Sequence, residues 1–555
     1  MKHAALTFGK VILIVEGFSY IQTLLARLKG TESILEFDLV ILKEMSHVAR
    51  GDLIDKWMSL EVSKDNKDFS RRVEETERLI ASVIGKNTLP SIPLIVLSLL
   101  QASDRNQDVL PENGAFGYLY EVLITTALNS TQGEKPQLDK KYTFLSLLAF
   151  RLFESSSEVL GEAAVAGLLE GYAKSYRIRI DKGALLRDLE HARVLHKEDG
   201  NYSFAYDHYF YYFLARYFKI NLNGANGASL RQRLNEIARG LNAGSNGIFL
   251  MFVIYLTHDD ALTDELVRMG DEVLSELQPS ELTDEVEFYN SKDYAGIDRR
   301  APECIDLDAS RQRRREAADR ARQTQVEDVK RPQLSPIIDG IGYSSDLPLR
   351  TKLQYATSCL EILGQILRNF TGSLPGDRKL MILKTTYLLG LRALRAVLSV
   401  LGDATLRVKE EIALRDMKKA SERQFAKSME RFLTIIGQII GVSMFQQISM
   451  NVGSPDIEET AYADTISEIG RNNATELIDL TIKLDHSAEY PFEQIKALKK
   501  LYSDNRFALM VLKDLVIANM HVFEISREMR QRVQALLDAG PLSEGVLSRG
   551  TKRLG

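Results

Sequence analysis

The sequence predicts a mainly α-helical, multi-domain protein with a small α/β remnant at its N-terminus and a winged-helix domain near the middle. Three observations predict it. Apolar residues recur at helical spacing along most of the chain. A continuous β-branched-rich run, Val11-Ile12-Leu13-Ile14-Val15, lies near the start. A hairpin signal, Asp199-Gly200 between two short alternating runs, follows three helical segments, which is the order of a winged helix.

The first of these segments sets the start of the domain order. Val11 to Val15, a helical stretch over 18–29 and a second short strand over Phe37 to Leu42 make a strand-helix-strand unit. Two strands do not form a stable sheet alone, so this edge belongs to something larger. Residues 1–60 are therefore read as the α/β piece and 61–135 as a helical domain. Within the latter, Leu89-Pro90-Ser91-Ile92-Pro93 interrupts the pattern, because two prolines three apart cannot both sit inside a helix; Pro93 suits a first turn. Residues 136–220 carry three helices, the hairpin over Lys197 to Asn201, and a very aromatic helix from Tyr206 to Phe218, read as core rather than ligand platform. Residues 221–290 are helical again, and the apolar run Ile248 to Leu256 reads as a buried helix, about half of the ~20 residues that span a bilayer.

Residues 291–345 hold few large apolar residues, many charges and three prolines, and read as a charged linker with an isolated polar helix over Arg311 to Arg322. Residues 346–540 form a C-terminal α-helical sensor or interaction domain. There Tyr387, Leu391, Leu394, Leu398 and Leu401 keep one apolar stripe, and Phe432, Ile435, Ile436, Ile439 and Ile440 repeat it. Residues 541–555 read as a frayed tail.

Composition narrows the function. A net charge of −5 over 555 residues gives no global pull toward nucleic acid or an anionic membrane. Two cysteines, Cys304 and Cys359, with no CxxC pair, argue against a disulfide scaffold or zinc ribbon and fit a reducing cytoplasm. The opening residues lack a signal peptide's long apolar stretch and cleavage site.

A P-loop needs GxxxxGK[ST] to cradle phosphates. The two Gly-Lys pairs, Gly9-Lys10 and Gly85-Lys86, have Ala4 and Ile80 where the first glycine belongs, and neither is followed by Ser or Thr. The chain is therefore not expected to hydrolyse nucleotide unaided, and no catalytic residue is assigned. Glu16 after the first strand imitates a Walker B acid, but one acid at a strand end is ordinary. His258-Asp259-Asp260 suggests a metal only if further ligands converge on it; His191 and His196 are five apart and do not share a helix face. No metal is assigned. The arginines Arg311, Arg313, Arg314, Arg315, Arg320 and Arg322 alternate with acids, as a solvated segment does. A competing reading is a winged-helix nucleic-acid-binding regulator, but the third helix, Ala184 to Ala192, is hardly basic.

The order of several blocks is recognisable. RGDLIDKW from Arg50 to Trp57, LPSIPLIVLSLLQ from Leu89, GAFGYLYEVLITTAL from Gly114 and YSFAYDHYFYYFLARYF from Tyr202 follow one another, and Gly364 to Phe370 with Gly372-Ser373-Leu374 come later. Together they resemble the distal half of STAND-class NTPases with a NACHT-like module. More closely, they resemble bacterial proteins that join a metallophosphoesterase or another effector to such a module. The resemblance covers nearly the whole chain, with the P-loop part absent, and makes the N-terminal strand a remnant of the NTPase core. It implies an ATP-dependent oligomerising switch, often in antiphage defence and located in the cytoplasm. Its implied partners are an effector or NTPase-core protein, or a second copy, with a phage protein or other ligand as trigger and neither membrane nor nucleic acid. ATP or ADP is implied only for an intact switch, not for this chain alone. In the family a proline after the core touches adenine, which suits Pro90 or Pro93, and a histidine in an F-x-H motif of the winged helix touches phosphate. Here that motif reads Phe204-Ala205-Tyr206, with His208 two residues beyond, so Tyr206 and His208 are both implied contacts.

Overall fold

The computed structural model describes residues 44–60, 69–84, 91–104, 115–129, 138–242, 244–290, 305–325, 342–414, 420–454, 456–487 and 489–537. The strand expected over Val11 to Val15, both Gly-Lys pairs, Pro90, Cys304 and the tail over 541–555 lie outside the described residues. Residues 46–555 cluster as one compact unit.

The N-terminal part of that unit is helical: α1 (His47–Met58), α2 (Phe69–Ile84), α3 (Pro93–Asp104) and α4 (Ala115–Asn129). α1 packs on α2 and α3. Pro93 opens α3, where its missing N–H leaves no helical bond unmade.

Next come α5 (Leu138–Glu154), β1 (Leu160–Gly161), α6 (Glu162–Tyr176), α7 (Lys182–His191), β2 (Leu195–Glu198), β3 (Asn201–Phe204) and α8 (Asp207–Asn221). The strands form an antiparallel sheet of order β1-β3-β2. Glu198 pairs with Asn201 across the turn, where Asp199 and Gly200 have φ of 50° and 80°. A tight turn with two positive φ values is the one Asp-Gly favours. The aromatic α8 packs on α5 and on α10 (Gly244–Thr257), burying Tyr211, Tyr212, Phe213 and Phe218 in the core. Edge-to-face contacts such as Tyr212 on Phe252 (5.8 Å) hold it there.

After α9 (Gly227–Arg239), α10 buries Phe249 through Leu256, as its apolar run predicts. Then α11 (Asp260–Glu272), a 3₁₀ turn, α12 (Glu287–Asn290) and α13 (Leu307–Gln325) lead to the C-terminal helices. These are α14 (Leu349–Asn369), α15 (Gly376–Leu414), α16 (Ala420–Val452), α17 (Glu459–Ile469), α18 (Asn473–His486), α19 (Phe492–Leu501), α20 (Arg506–Met520) and α21 (Arg527–Leu536). The bundle does not hang on a tether. α10 and α11 pack directly on α14 and α15, and the buried Arg392 donates to the carbonyls of Asp271 (2.6 Å) and Gly270 (3.1 Å), closing the C-terminus of α11.

Tyr387, Leu391, Leu394 and Leu398 are buried along α15, as the stripe predicts. The second stripe is corrected. On α16 Phe432 is 56% exposed and Ile439 45%, while Thr434, Gly437, Gln438, Phe445 and Ile448 face inward. The reason is close approach and pairing. A side chain at Gly437 would run into Tyr289, and one at Gly441 would press on Phe507 (3.2 Å). Gln438 donates to the buried Asp514 at 2.6 Å. The stretch Arg431–Val452 is long and apolar enough to cross a membrane, yet its polar inward face is built into this bundle.

Candidate functional site

Of the residues expected to contact nucleotide, the structure brings two together. Tyr206 is the extended residue preceding α8 (φ −142°), and His208 lies in the first turn of that helix. Their rings stack at 5.7 Å. His208 is 2% exposed, with Tyr209 at 4.2 Å and Tyr120 of α4 at 6.1 Å. Burial pushes the Tyr209 phenol far up. The His208 imidazole is thus part of the aromatic core where α4, α8 and α10 meet. Pro93 sits exposed at the head of α3.

The His258-Asp259-Asp260 triplet is taken apart by local structure. Asp259 caps α11 through the Leu262 N–H (3.0 Å) and pairs with Arg231 (2.8 Å). Asp260 pairs with Arg378 (2.7 Å), and His258, in a left-handed backbone conformation, sets its ring against Phe370. Among the described residues no three His, Cys, Asp or Glu side chains converge as metal ligands.

The most concentrated chemistry lies in the segment read as linker. α13 is not an isolated solvated helix: it packs on α1, and Arg311 and Arg315 are only 3% and 7% exposed. Arg315 grips Asp55 of α1 with both terminal nitrogens (2.8 and 3.1 Å) and donates from Nε to Glu77 of α2 (2.7 Å). Arg311 donates to the Ser70 hydroxyl (2.7 Å). Arg314 pairs with Glu74 (2.5 Å) and donates to the carbonyl of His521 (2.9 Å), past the end of α20. Asp319 accepts from the backbone N–H of His47 (2.6 Å) and Val48 (3.1 Å), so a residue remote in sequence caps α1 at its positive end. Gly51 permits this approach: a side chain there would occupy the space of the Arg315 guanidinium.

The same junction reaches the C-terminal bundle. Arg78 of α2 pairs with Glu74 (3.3 Å) and lies over the Phe523 ring (5.3 Å). Behind it, Arg368 donates to the Met450 carbonyl (2.8 Å). Three histidines border these arginines, and all are shifted the same way. Burial is the largest cause at His47, His486 and His521, followed by Arg50, Arg78 and Arg313 respectively; each lowers the imidazole, to about 4 for His486. Burial raises the Glu77 carboxyl in spite of Arg315 beside it. α1, α2 and α13 line an open cleft of about 190 Å³.

A signal for this junction does exist in the sequence. Asp52 and Asp55, then Glu74 and Glu77, stand three apart on their helices, matching Arg311 and Arg314 on α13. Each set alone looks like a solvated face, and only the fold shows that they face one another.

Against this geometry the comparisons add one finding. A family model described as Novel STAND NTPase 4 matches residues 167–214, from within α6 through α7 and the hairpin into α8. The match relates this part of the chain to STAND-class NTPases and includes Tyr206 and His208. No curated protein and no solved structure matches the chain.

Proposed function

We propose that the chain is the non-catalytic, sensing and regulatory part of a STAND-type signalling switch. The observation that carries this is the family match over residues 167–214, which falls on the end of α6, α7, the hairpin and the start of the aromatic α8 in one continuous stretch. That unit is read as a winged helix used for packing: its hairpin and α7 offer no basic face, and α8 is sunk in the core. The helical bundle after it serves as the sensor, and coupling runs through the arginine junction and through Arg392. A ligand on the bundle shifts the switch only by binding one of its states more tightly than the other. A NACHT-like module, a separate NTPase core or effector as partner, a role in antiphage defence and a cytoplasmic location complete the reading.

The nucleic-acid alternative is weaker. Arg314 and Arg315 are committed to side-chain and backbone acceptors, and the arginines converge on one cleft instead of forming a stripe that follows a phosphate backbone. The test is phosphate release by the purified full chain with ATP and Mg²⁺. Release at the level of a blank is expected. Turnover that scales with chain concentration through successive purification steps overturns the proposal.

A further inference from the structure

The cleft between α1, α2 and α13 has more guanidinium than carboxylate in its wall. Five arginines line it, namely Arg50, Arg78, Arg311, Arg314 and Arg315, against the two carboxylates Glu74 and Glu77. Glu74 is shared between Arg78 (3.3 Å) and Arg314 (2.5 Å), and Asp55 is held by Arg315. Two of the cationic groups keep unused donors. Arg50 contacts only the Nδ1 of His47 (2.9 Å), and among the described residues no carboxylate lies within ion-pair distance of it. Arg311 spends its terminal nitrogens on Asp308 (3.2 Å), Asp55 (3.9 Å) and the Ser70 hydroxyl (2.7 Å), but its Nε is buried with no acceptor among the described residues. Burial is the largest cause lowering Arg50 from its usual basicity, and it outweighs the opposing pull of Glu77 and Asp319, neither of which forms an ion pair with it.

Such donors are stabilised by an oxyanion, whose several oxygens match the fork of a guanidinium. A cleft of about 190 Å³ has room for a phosphate or diphosphate group. We propose that this cleft binds a small phosphate-type oxyanion, either free or as the phosphate tail of a nucleotide, with Arg50 and Arg311 as its principal donors. The site does not depend on the STAND reading. Its position gives binding a consequence, since Arg314 reaches both Glu74 and the His521 carbonyl, and an occupant tightens α1, α2 and α13 against the end of α20.

The test titrates diphosphate, and in parallel ADP, into the full chain at constant ionic strength, read by calorimetry and by emission of the sole tryptophan, Trp57, on α1. Saturable binding is expected for diphosphate, for ADP or for both, weakened about tenfold or more in Arg50→Gln, the loss of one charge-assisted contact. Arg50→Gln removes no ion pair to a described carboxylate, so its thermal midpoint is expected to match the wild type. If it does not fold, Arg50→Lys, which keeps the charge and loses the fork, decides by a smaller loss. Arg268→Gln, on the exposed side of α11, leaves binding unchanged. Absence of saturable binding of either probe, or equal affinity in wild type and the Arg50 variants, overturns the proposal.

Discussion

Arg315→Leu is the sharpest perturbation of the junction. It leaves the stem's volume largely in place and removes the guanidinium that holds both α1 and α2 to α13, through Asp55 and Glu77. Removing one partner of a fully buried ion pair costs about 3–5 kcal/mol, because the other charge stays desolvated. Here the side chains of Asp55 and Glu77 keep 24% and 21% of their exposure, so water recovers part of the loss. About 3 kcal/mol is the result. Urea unfolding followed by Trp57 emission reads it directly, since Trp57 lies two residues beyond Asp55 on α1. With a slope of about 3 kcal/mol/M, the transition moves down by about 1 M. Burial already raises the Glu77 carboxyl, and without Arg315 it rises further. The sign follows: a raised carboxyl is destabilising when ionised, and protonation relieves it as pH falls through the folded value. The penalty of Arg315→Leu therefore shrinks from pH 8 toward pH 5, and Asp55→Asn in the same background recovers part of it. A midpoint within 0.2 M of wild type at pH 8, or a penalty that grows on acidification, refutes the reasoning.

Other expectations concern separate parts of the fold. Gly51→Leu places a side chain where the Arg315 guanidinium lies, and a loss of about 1–3 kcal/mol is expected in the same urea assay. On α16, Phe432→Ser changes stability by less than about 0.5 kcal/mol, whereas Gln438→Leu removes the amide donating to buried Asp514 and costs about 1–3 kcal/mol; thermal unfolding of the two variants checks the ranking. His486 lies at about 4 in the folded chain against 6.5 unfolded, so the unfolded chain binds its proton first as pH falls. Stability present above pH 6.5 is lost between 6.5 and about 4, with His47 and His521 acting in the same sense and Asp485, raised by burial, acting against it at the acid end. His486→Gln is expected to flatten the acid limb of stability against pH; an unchanged limb rejects that assignment.

The helical class, the Asp199-Gly200 hairpin and the aromatic core helix were legible because each is local: a turn that needs two positive φ values, or a period of apolar side chains. What was not legible depends on partners distant in sequence. The spacing of Phe432, Ile436 and Ile439 looks like a core face, but Gly437 and Gln438 win the inward side because Tyr289 and Asp514 await them there. Arg311 to Arg322 reads as a solvated helix because its acids, Asp55, Glu74 and Glu77, lie more than two hundred residues away. His208 stood out in the sequence only as the histidine two residues beyond the F-x-H position that Tyr206 occupies, and its enclosure by Tyr120 required the fold.

The central claim, that the C-terminal bundle is coupled to α1 and α2 through the arginine junction, is tested most directly by amide hydrogen exchange across that junction. Asn519→Leu, which removes the amide donating to the Leu484 carbonyl (2.8 Å) inside the C-terminal bundle, is the lesion to use. Coupling through Arg314 to His521 and Arg78 to Phe523 predicts faster exchange not only in α18 and α20 but also in α1 and α2. Faster exchange confined to the bundle, with α1 and α2 protected as in wild type, would contradict it.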